Sequence, residues 1–271
     1  MTVLVTGVTG LVGARLLPRL VKAGVDCRAL IRAGKEVPYG VTAVEGDLFD
    51  PSSLARAVDG VSAIIHLAAV FRTPNTDLIW KSNLEGTHNL IAAAKAHAPG
   101  AQFIMASTVL VYNMDSPRPS REDDAADPKQ DYPASKLAAE NELRDSGLNW
   151  SVLRFGFVYG DKDGHLESLP KLAAQAKFRP AQRMSMIHHR DIATAMNLAL
   201  TGAMDGHIVN ITDEAPTSMY ELFELVGETM EPSSEPLANP WYMQMDGSLA
   251  RRLGFQPTVR TVYQAAQEKL M

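Results

Sequence analysis

The chain has 271 residues, of which 46% are hydrophobic and 21% charged, with a formal net charge of -5 and a sequence pI near 5.8. That length suits one doubly wound domain with an appendage, or two small domains, with core enough for independent stability. The acidic balance argues against nucleic acid as a partner, because phosphate binding takes clustered Lys and Arg; the single cysteine, Cys27, excludes an intramolecular disulfide and any multi-cysteine zinc site.

The chain opens on an apolar run, Thr2-Val3-Leu4-Val5-Thr6, which reads as a strand, and Gly7, Gly10 and Gly13 follow at three-residue spacing. Further strand candidates are 27–31, 61–67, 102–107 and 150–155, with helical patterns near 11–23, 52–58, 77–97 and 134–145. This alternation predicts an α/β fold, a parallel sheet with helices on both faces. The strands are apolar almost throughout, as in Ala63-Ile64-Ile65 and Phe103-Ile104-Met105, which fits burial on both sides. Pro18 falls inside the first helical pattern, where it removes one backbone bond and predicts a bend. Cys27 lies in an apolar strand and reads as a buried spectator.

The stretch 113–131 is a different material, rich in proline and acids and almost free of apolar residues. It reads as a surface loop entering the helix of Tyr132, either facing substrate as a lid or serving as a solvated connection. After Gly160 the rhythm breaks. Residues 161–185 form an irregular insertion, 186–200 read as a strand and a helix, Gly206 to Thr212 as a strand, and the tail from Ala215 as two or three helices. The expected organisation is a doubly wound domain (1–160 and 187–213) and a small substrate-binding cap (161–186 and 214–271) over the open ends of the sheet. No apolar run is long enough to span a bilayer, and the first residues read as a strand rather than a leader, so the expected location is cytoplasmic.

Glycines between a strand and a helix suit a dinucleotide site: they permit the tight turn, the approach of backbone to a pyrophosphate and close helix–strand packing. The amides around Thr9, Gly10, Leu11, Val12 and Gly13 would face the phosphates at the helix N-terminus. Cofactor choice is set at the end of the second strand. Ala29-Leu30-Ile31-Arg32 offers no acid there, and Asp26 lies at the wrong end. A carboxylate would repel a 2′-phosphate, whereas the fork of Arg32 can bind it, assisted by Lys35, so NADP(H) is expected over NAD(H). Asp47 and Leu48 are candidates for the adenine pocket. Leu67, Ala68 and Ala69, after His66, are candidates for close passage of backbone beside the cofactor.

Tyr132 and Lys136 stand four apart on a predicted helix and share a face. An ammonium near a phenol favours its ionised form, so the tyrosine pKa is expected to fall toward a useful value for proton transfer with a carbonyl oxygen. Thr108, just past the strand candidate at 102–107, is the expected hydroxyl partner of that oxygen, preferred over Ser107 by strand alternation.

With the glycine run, Ser107-Thr108-Val109-Leu110-Val111-Tyr112 and Tyr132-Pro133-Ala134-Ser135-Lys136 in this order, the chain resembles the short-chain dehydrogenase/reductase superfamily in its extended, epimerase/dehydratase-like branch. Further marks are Asn83-Leu84-Glu85-Gly86-Thr87, Leu153-Arg154-Phe155-Gly156-Phe157-Val158-Tyr159-Gly160 and Ile187-His188-His189-Arg190-Asp191. The resemblance runs from Thr2 to about Thr212, and more loosely beyond. It implies a Rossmann-type sheet and a catalytic set of Thr108, Tyr132 and Lys136, with Lys136 also holding the nicotinamide ribose. It further implies that backbone from Phe155 to Val158 borders the nicotinamide, that Asn83 buttresses the site, and that His188 and Asp191 serve packing and capping. Homodimers through the helices at 77–97 and 134–145 are also implied.

Two departures bear on substrate. Phe155 stands where the branch usually has proline, and Met184 where nucleotide-sugar members place an arginine. The appendage is also small for a nucleotide-sugar enzyme. Phe71, Phe155, Phe157, Met184, Met186, Trp241 and Met243 offer an adaptable apolar pocket, with Phe71, Ser107, Thr108, Phe157 and Met184 as the substrate-binding candidates. The leading expectation is an NADP(H)-dependent oxidoreductase of a small or medium, fairly apolar carbonyl or secondary alcohol. A nucleotide-sugar epimerase or dehydratase with retained cofactor comes second, and a non-catalytic NADP(H)-sensing module third.

Overall fold

Successive residues of β1 (Thr2–Thr6) point to opposite sides of the sheet and meet helices on both. Val3 and Val5 pack with Leu16, Leu17 and Leu20 of α1 (Gly13–Lys22), while Leu4 packs on the other side with Leu54 and Val58 of α2 (Pro51–Val58). Each such side chain, withdrawn fully from water, contributes about 1.5–3 kcal/mol. The computed structural model describes residues 1–113 and 115–271, so Met114, inside the 113–131 stretch, lies outside the described residues.

The remaining sheet strands are β2 (Asp26–Ile31), β3 (Val41–Glu45), β4 (Ala63–His66), β5 (Gln102–Thr108) and β6 (Asn149–Phe155). A seventh, β10 (Ile208–Ile211), joins β6 at one edge, and every pairing is parallel. The spatial order is β10-β6-β5-β4-β1-β2-β3. The chain runs outward from β1 to β3, then returns to start again at β4 on the other side of β1. Ligands of open parallel sheets bind outside the carboxyl ends of the strands at such a switch point. Gly7 and Leu67 therefore face one another across it.

Helices α4 (Gly86–His97) and α5 (Asp131–Arg144) cover the face shared with α2, and α7 (His189–Ala199) lies beside α1 on the other. The helical pattern at 77–97 divides into α3 (Thr76–Trp80), a π turn over Lys81–Glu85, and α4. α1 continues through Pro18 without breaking.

The second lobe contains β7 (Phe157–Tyr159) paired with β9 (Met186–His188), and β8 (Arg183–Met184) paired with β11 (Thr217–Ser218). α6 (Leu169–Ala176), α8 (Met219–Leu225) and α10 (Val262–Gln267) enclose its apolar core with Tyr159, Met184 and Met186. α9 (Ser248–Arg252) departs from the expected division: Ala250 and Phe255 pack into the core beside the main sheet, although they fall in the 214–271 stretch. No helix among the described residues is long and apolar enough to cross a membrane.

Candidate active site

The glycine loop brings three segments closer than side chains would allow. A Cβ on Gly7 would stand 2.5 Å from the Ala68 nitrogen, and one on Gly13 only 2.2 Å from the Gly7 carbonyl oxygen. Gly7 also holds φ at +72°, where glycine is at ease. The Gly10 N–H donates to the Gly7 carbonyl at 3.0 Å, closing the turn, and Thr9, Gly10 and Leu11 are exposed above the crevice. α1 then starts with Val12 in the capping position, no side-chain cap and no acid in its first turn. Its free N–H groups and positive dipole end form a seat for a diphosphate. These features fit the pyrophosphate of a nicotinamide dinucleotide.

Around the adenosine side, Arg32 follows β2 directly and is exposed, while Asp26 lies at the opposite strand end, where the Thr2 hydroxyl donates to it at 2.5 Å. Asp47 is exposed and its side chain accepts the Phe49 N–H at 2.8 Å in an Asx turn. Leu48 is half-buried against Gly86, and its carbonyl receives the Asn89 amide at 3.0 Å. Leu67 and Ala68 are half-buried and Ala69 exposed after β4.

Behind β4 runs a buried chain of polar groups. Thr87 donates to the Asn83 carbonyl at 2.6 Å, so its oxygen accepts from Nε2 of His66 at 2.9 Å. That tautomer leaves Nδ1 of His66 to accept the Thr6 hydroxyl at 2.7 Å. Burial, and secondarily the charge of Lys136, push the His66 imidazole down to about 3, so it is neutral. The π turn aims Asn83 at two targets: its side chain exchanges bonds of 2.7 and 3.0 Å with Val70, and its amide donates to Ser135 at 3.0 Å. Asn83 thus joins the loop after β4 to the helix of Tyr132, which is the buttress that the resemblance implies. His66, Thr6 and Ser135 carry this network without having been singled out for it; the small polar residues bordering apolar strands were the available signal.

Adjacent residues at the end of β5 face opposite ways. Ser107 donates to Oε1 of Glu140 in the interior. Thr108 turns to the other side of the strand, its oxygen accepting the Leu110 N–H at 3.2 Å while its own proton stays available. α5 is anchored at its start, where Asp131 accepts from Trp80 Nε1 at 2.9 Å and from the Thr76 hydroxyl at 3.0 Å. Tyr132 follows, half-buried under the ring of Phe71, whose centroid is 4.3 Å away at 36°.

The expected lowering of the Tyr132 pKa is not what the protein alone does. Burial pushes the phenol up to about 12 and brings the Lys136 ammonium down to about 8. Lys136 is 2% exposed, and neither its amine nor the Tyr132 hydroxyl has a hydrogen-bond partner among the described residues. Its charge is felt instead by His66, and that of Glu140 by it. Glu140, itself fully buried, is held by Arg154, and Arg154 lies 4.8 Å over the ring of Tyr112. Spacing of four from Lys136 on one helix was the signal for Glu140.

On the substrate side Phe71 is exposed, and Phe157 stacks on His165 with centroids 4.1 Å apart at 18°. Val158 is half-buried, and its carbonyl accepts Nδ1 of His165 at 2.6 Å. Met184 and Met186 are buried in the second-lobe core and Phe155 in the core beside the main sheet, so these three side chains serve packing. Trp241 is exposed and Met243 half-buried. A cavity of about 350 Å³ opens at the start of α5, lined by Leu110, Gln130, Pro133 and Tyr242 among others. The loop beside it is tied down: Ser120 exchanges backbone bonds with Gln244 and Asp246, and Glu122 accepts the Asn210 N–H at 2.9 Å. It is a stitched connection. His188 caps α7, and Asp191 accepts from Thr258 and Val259, the packing and capping roles implied for them.

A parallel sheet with a glycine cradle at its switch point suits an NAD(P)-dependent enzyme of the short-chain dehydrogenase/reductase type. Comparison with known proteins agrees. The model of the family described as NAD dependent epimerase/dehydratase matches residues 3–212, and the chain belongs to that family. A ceramide reductase of Caulobacter vibrioides is 30% identical over 203 residues, covering 72% of this chain but only 59% of that protein's own length. A 4-hydroxy-2-methyl-3-oxo-4-farnesyl-3,4-dihydroquinoline-1-oxide ketoreductase of Stigmatella aurantiaca is 28% identical, covering 84% of this chain and 73% of that one. Among solved structures, MoeE5 in complex with UDP-glucuronic acid and NAD superimposes with a TM-score of 0.80 at 22% identity, covering 99% of this chain and all of that one. The likeness to MoeE5 is one of fold.

Proposed function

We propose that this protein is an NADP(H)-dependent oxidoreductase of a small or medium, fairly apolar carbonyl compound or secondary alcohol. The observation that carries the reading is Lys136: a residue 2% exposed whose amine has no hydrogen-bond partner among the described residues, four residues from a half-buried tyrosine whose hydroxyl has none either. Such a group suits the hydroxyls of a nicotinamide ribose. The cofactor, when bound, supplies or accepts the hydride. Tyr132 gives its proton to the carbonyl oxygen, or takes one from the alcohol in reverse. Thr108 donates to the same oxygen and orients it. Lys136 holds the ribose and, once its charge is turned toward the phenol, lowers the cost of the phenolate against burial. Phe71 excludes water from the face of Tyr132.

The exposed Arg32 and the absence of an acid at the end of β2 support NADP(H) over NAD(H). The reductases among the relatives support carbonyl reduction, including a 2-alkyl-3-oxoalkanoate reductase of Stenotrophomonas maltophilia at 30% identity. A UDP-glucose 4-epimerase of Azospirillum brasilense, 31% identical over 172 residues, supports a second reading, epimerisation on a retained cofactor. The same reading places the enzyme in the cytoplasm and pairs two copies through the helices at 77–97 and 134–145, which sedimentation measures. Incubation with NADPH and a panel of ketones and aldehydes, following absorbance of the reduced nicotinamide, tests the function. Net consumption is expected. Turnover of a sugar nucleotide with tightly bound oxidised cofactor and no consumption would transfer the assignment to the epimerase.

A further inference from the structure

One cation on the substrate side makes no ion-pair contact among the described residues, although the charge of Asp163 reaches it from further off. Arg72 follows Phe71, and its guanidinium lies 5.1 Å from the Phe71 centroid, on the ring that covers Tyr132. The loop from β4 reaches this place with Arg72 at φ +59°, a left-handed conformation that a non-glycine residue adopts at some cost. Nη2 of Arg72 donates to Nε2 of His165. That nitrogen is an acceptor because Nδ1–H of the same ring is committed to the Val158 carbonyl at 2.6 Å. Burial pushes the His165 imidazole down to about 4, so the partner is neutral. Arg72 is thus oriented but keeps its full charge, and it makes no ion pair among the described residues.

The nearby carboxylates are engaged elsewhere. Asp163 accepts His189 Nε2 and the His165 N–H, each at 2.8 Å, and Asp131 accepts Trp80 and Thr76. One ring, Phe71, lies against the guanidinium on the side of Tyr132, and a second, Phe157, stacks on its partner His165. The wall is apolar along its length and cationic at one point.

We infer that Arg72 determines substrate specificity by binding a carboxylate carried a short chain away from the reacting carbonyl, so that the preferred substrates are oxo acids with an apolar body. The inference rests on the reading that Tyr132 handles the carbonyl oxygen. An arginine fork binds a carboxylate at two points, and a neutral histidine behind it holds the fork in place without competing for charge.

The test uses the full chain with NADPH and a series of oxo acids of increasing spacing between carbonyl and carboxylate, each against its methyl ester. The wild type is expected to favour at least one acid over its ester, and Arg72→Gln to lower that ratio of kcat/KM by about 10- to 100-fold, the loss expected for a charge-assisted bidentate contact. Arg72→Lys should fall between, keeping the charge and losing the fork. Equal loss on acid and ester, or no preference in the wild type, overturns the proposal. Calorimetric binding of the corresponding hydroxy acids to the NADP-loaded protein separates the two readings. If nothing turns over but the hydroxy acid binds the wild type and not Arg72→Gln, the carboxylate site stands and the hydride-transfer reading falls. Equal binding to both overturns the site.

Discussion

Glu140 and Arg154 form a two-point ion pair beneath α5: Nε lies 3.2 Å from both carboxylate oxygens and Nη2 2.6 Å from Oε2, with both side chains at most 3% exposed. Ser107 completes the carboxylate's partners and Tyr112 supports the guanidinium from below. Removing one member leaves a buried charge uncompensated, which costs about 3–5 kcal/mol. Glu140→Gln should therefore lower the melting temperature markedly. It should also act on chemistry, because Glu140 opposes the burial that brings Lys136 down to about 8. Without that carboxylate the ammonium loses its proton at lower pH, so the alkaline limb of kcat moves toward neutrality. A kcat profile unchanged in shape would separate Glu140 from Lys136.

The opposed facing of Ser107 and Thr108 predicts opposed phenotypes. Thr108→Val removes a donor to the developing oxyanion and should lower kcat/KM by about 100- to 1,000-fold with a near-normal melting temperature. Ser107→Ala should show its loss in unfolding free energy, about 1–3 kcal/mol for the bond to a buried carboxylate. Steady-state kinetics and denaturant melts on the two variants check both.

Asp213 gives the stability a pH dependence. Its carboxylate is buried with no hydrogen-bond partner on either oxygen among the described residues, and burial pushes it up to about 8 from an ordinary 3.8. The folded protein keeps a proton there that the unfolded chain releases, so the contribution is full below about pH 4 and is lost as pH rises toward about 8. Asp213→Asn removes this loss. Its melting temperature should exceed that of the wild type at pH 8 and approach it at pH 5, a difference that parallel thermal melts at the two values read.

Arg32→Ala addresses cofactor choice. The dissociation constant for NADPH should rise about 10- to 100-fold, as expected when a charge-assisted bond to phosphate is removed, while that for NADH changes little. Fluorescence titration with both nucleotides gives the comparison.

What could be read from the sequence was local. The glycine turn, the Tyr132–Lys136 spacing and the facing of Thr108 each depend on a few consecutive residues and one helical or strand period. The raised phenol of Tyr132 was not legible, because it arises from burial, to which Phe71, sixty-one residues earlier in the chain, contributes its ring. The Arg72–His165 contact joins two lobes and has no periodic signature. Met184 shows the limit of composition: an apolar residue near a site packs a core as readily as it lines a pocket. The π turn that aims Asn83 continues an unbroken helical pattern and becomes visible only when its backbone bonds are traced.

The most direct measurement of the central claim is the turnover of Tyr132→Phe on whichever carbonyl compound the wild type reduces, with the NADPH dissociation constant determined on the same preparation. The account predicts a fall in kcat of about 100- to 10,000-fold with cofactor affinity essentially retained. Wild-type turnover by a Tyr132→Phe protein that binds NADPH normally would contradict it.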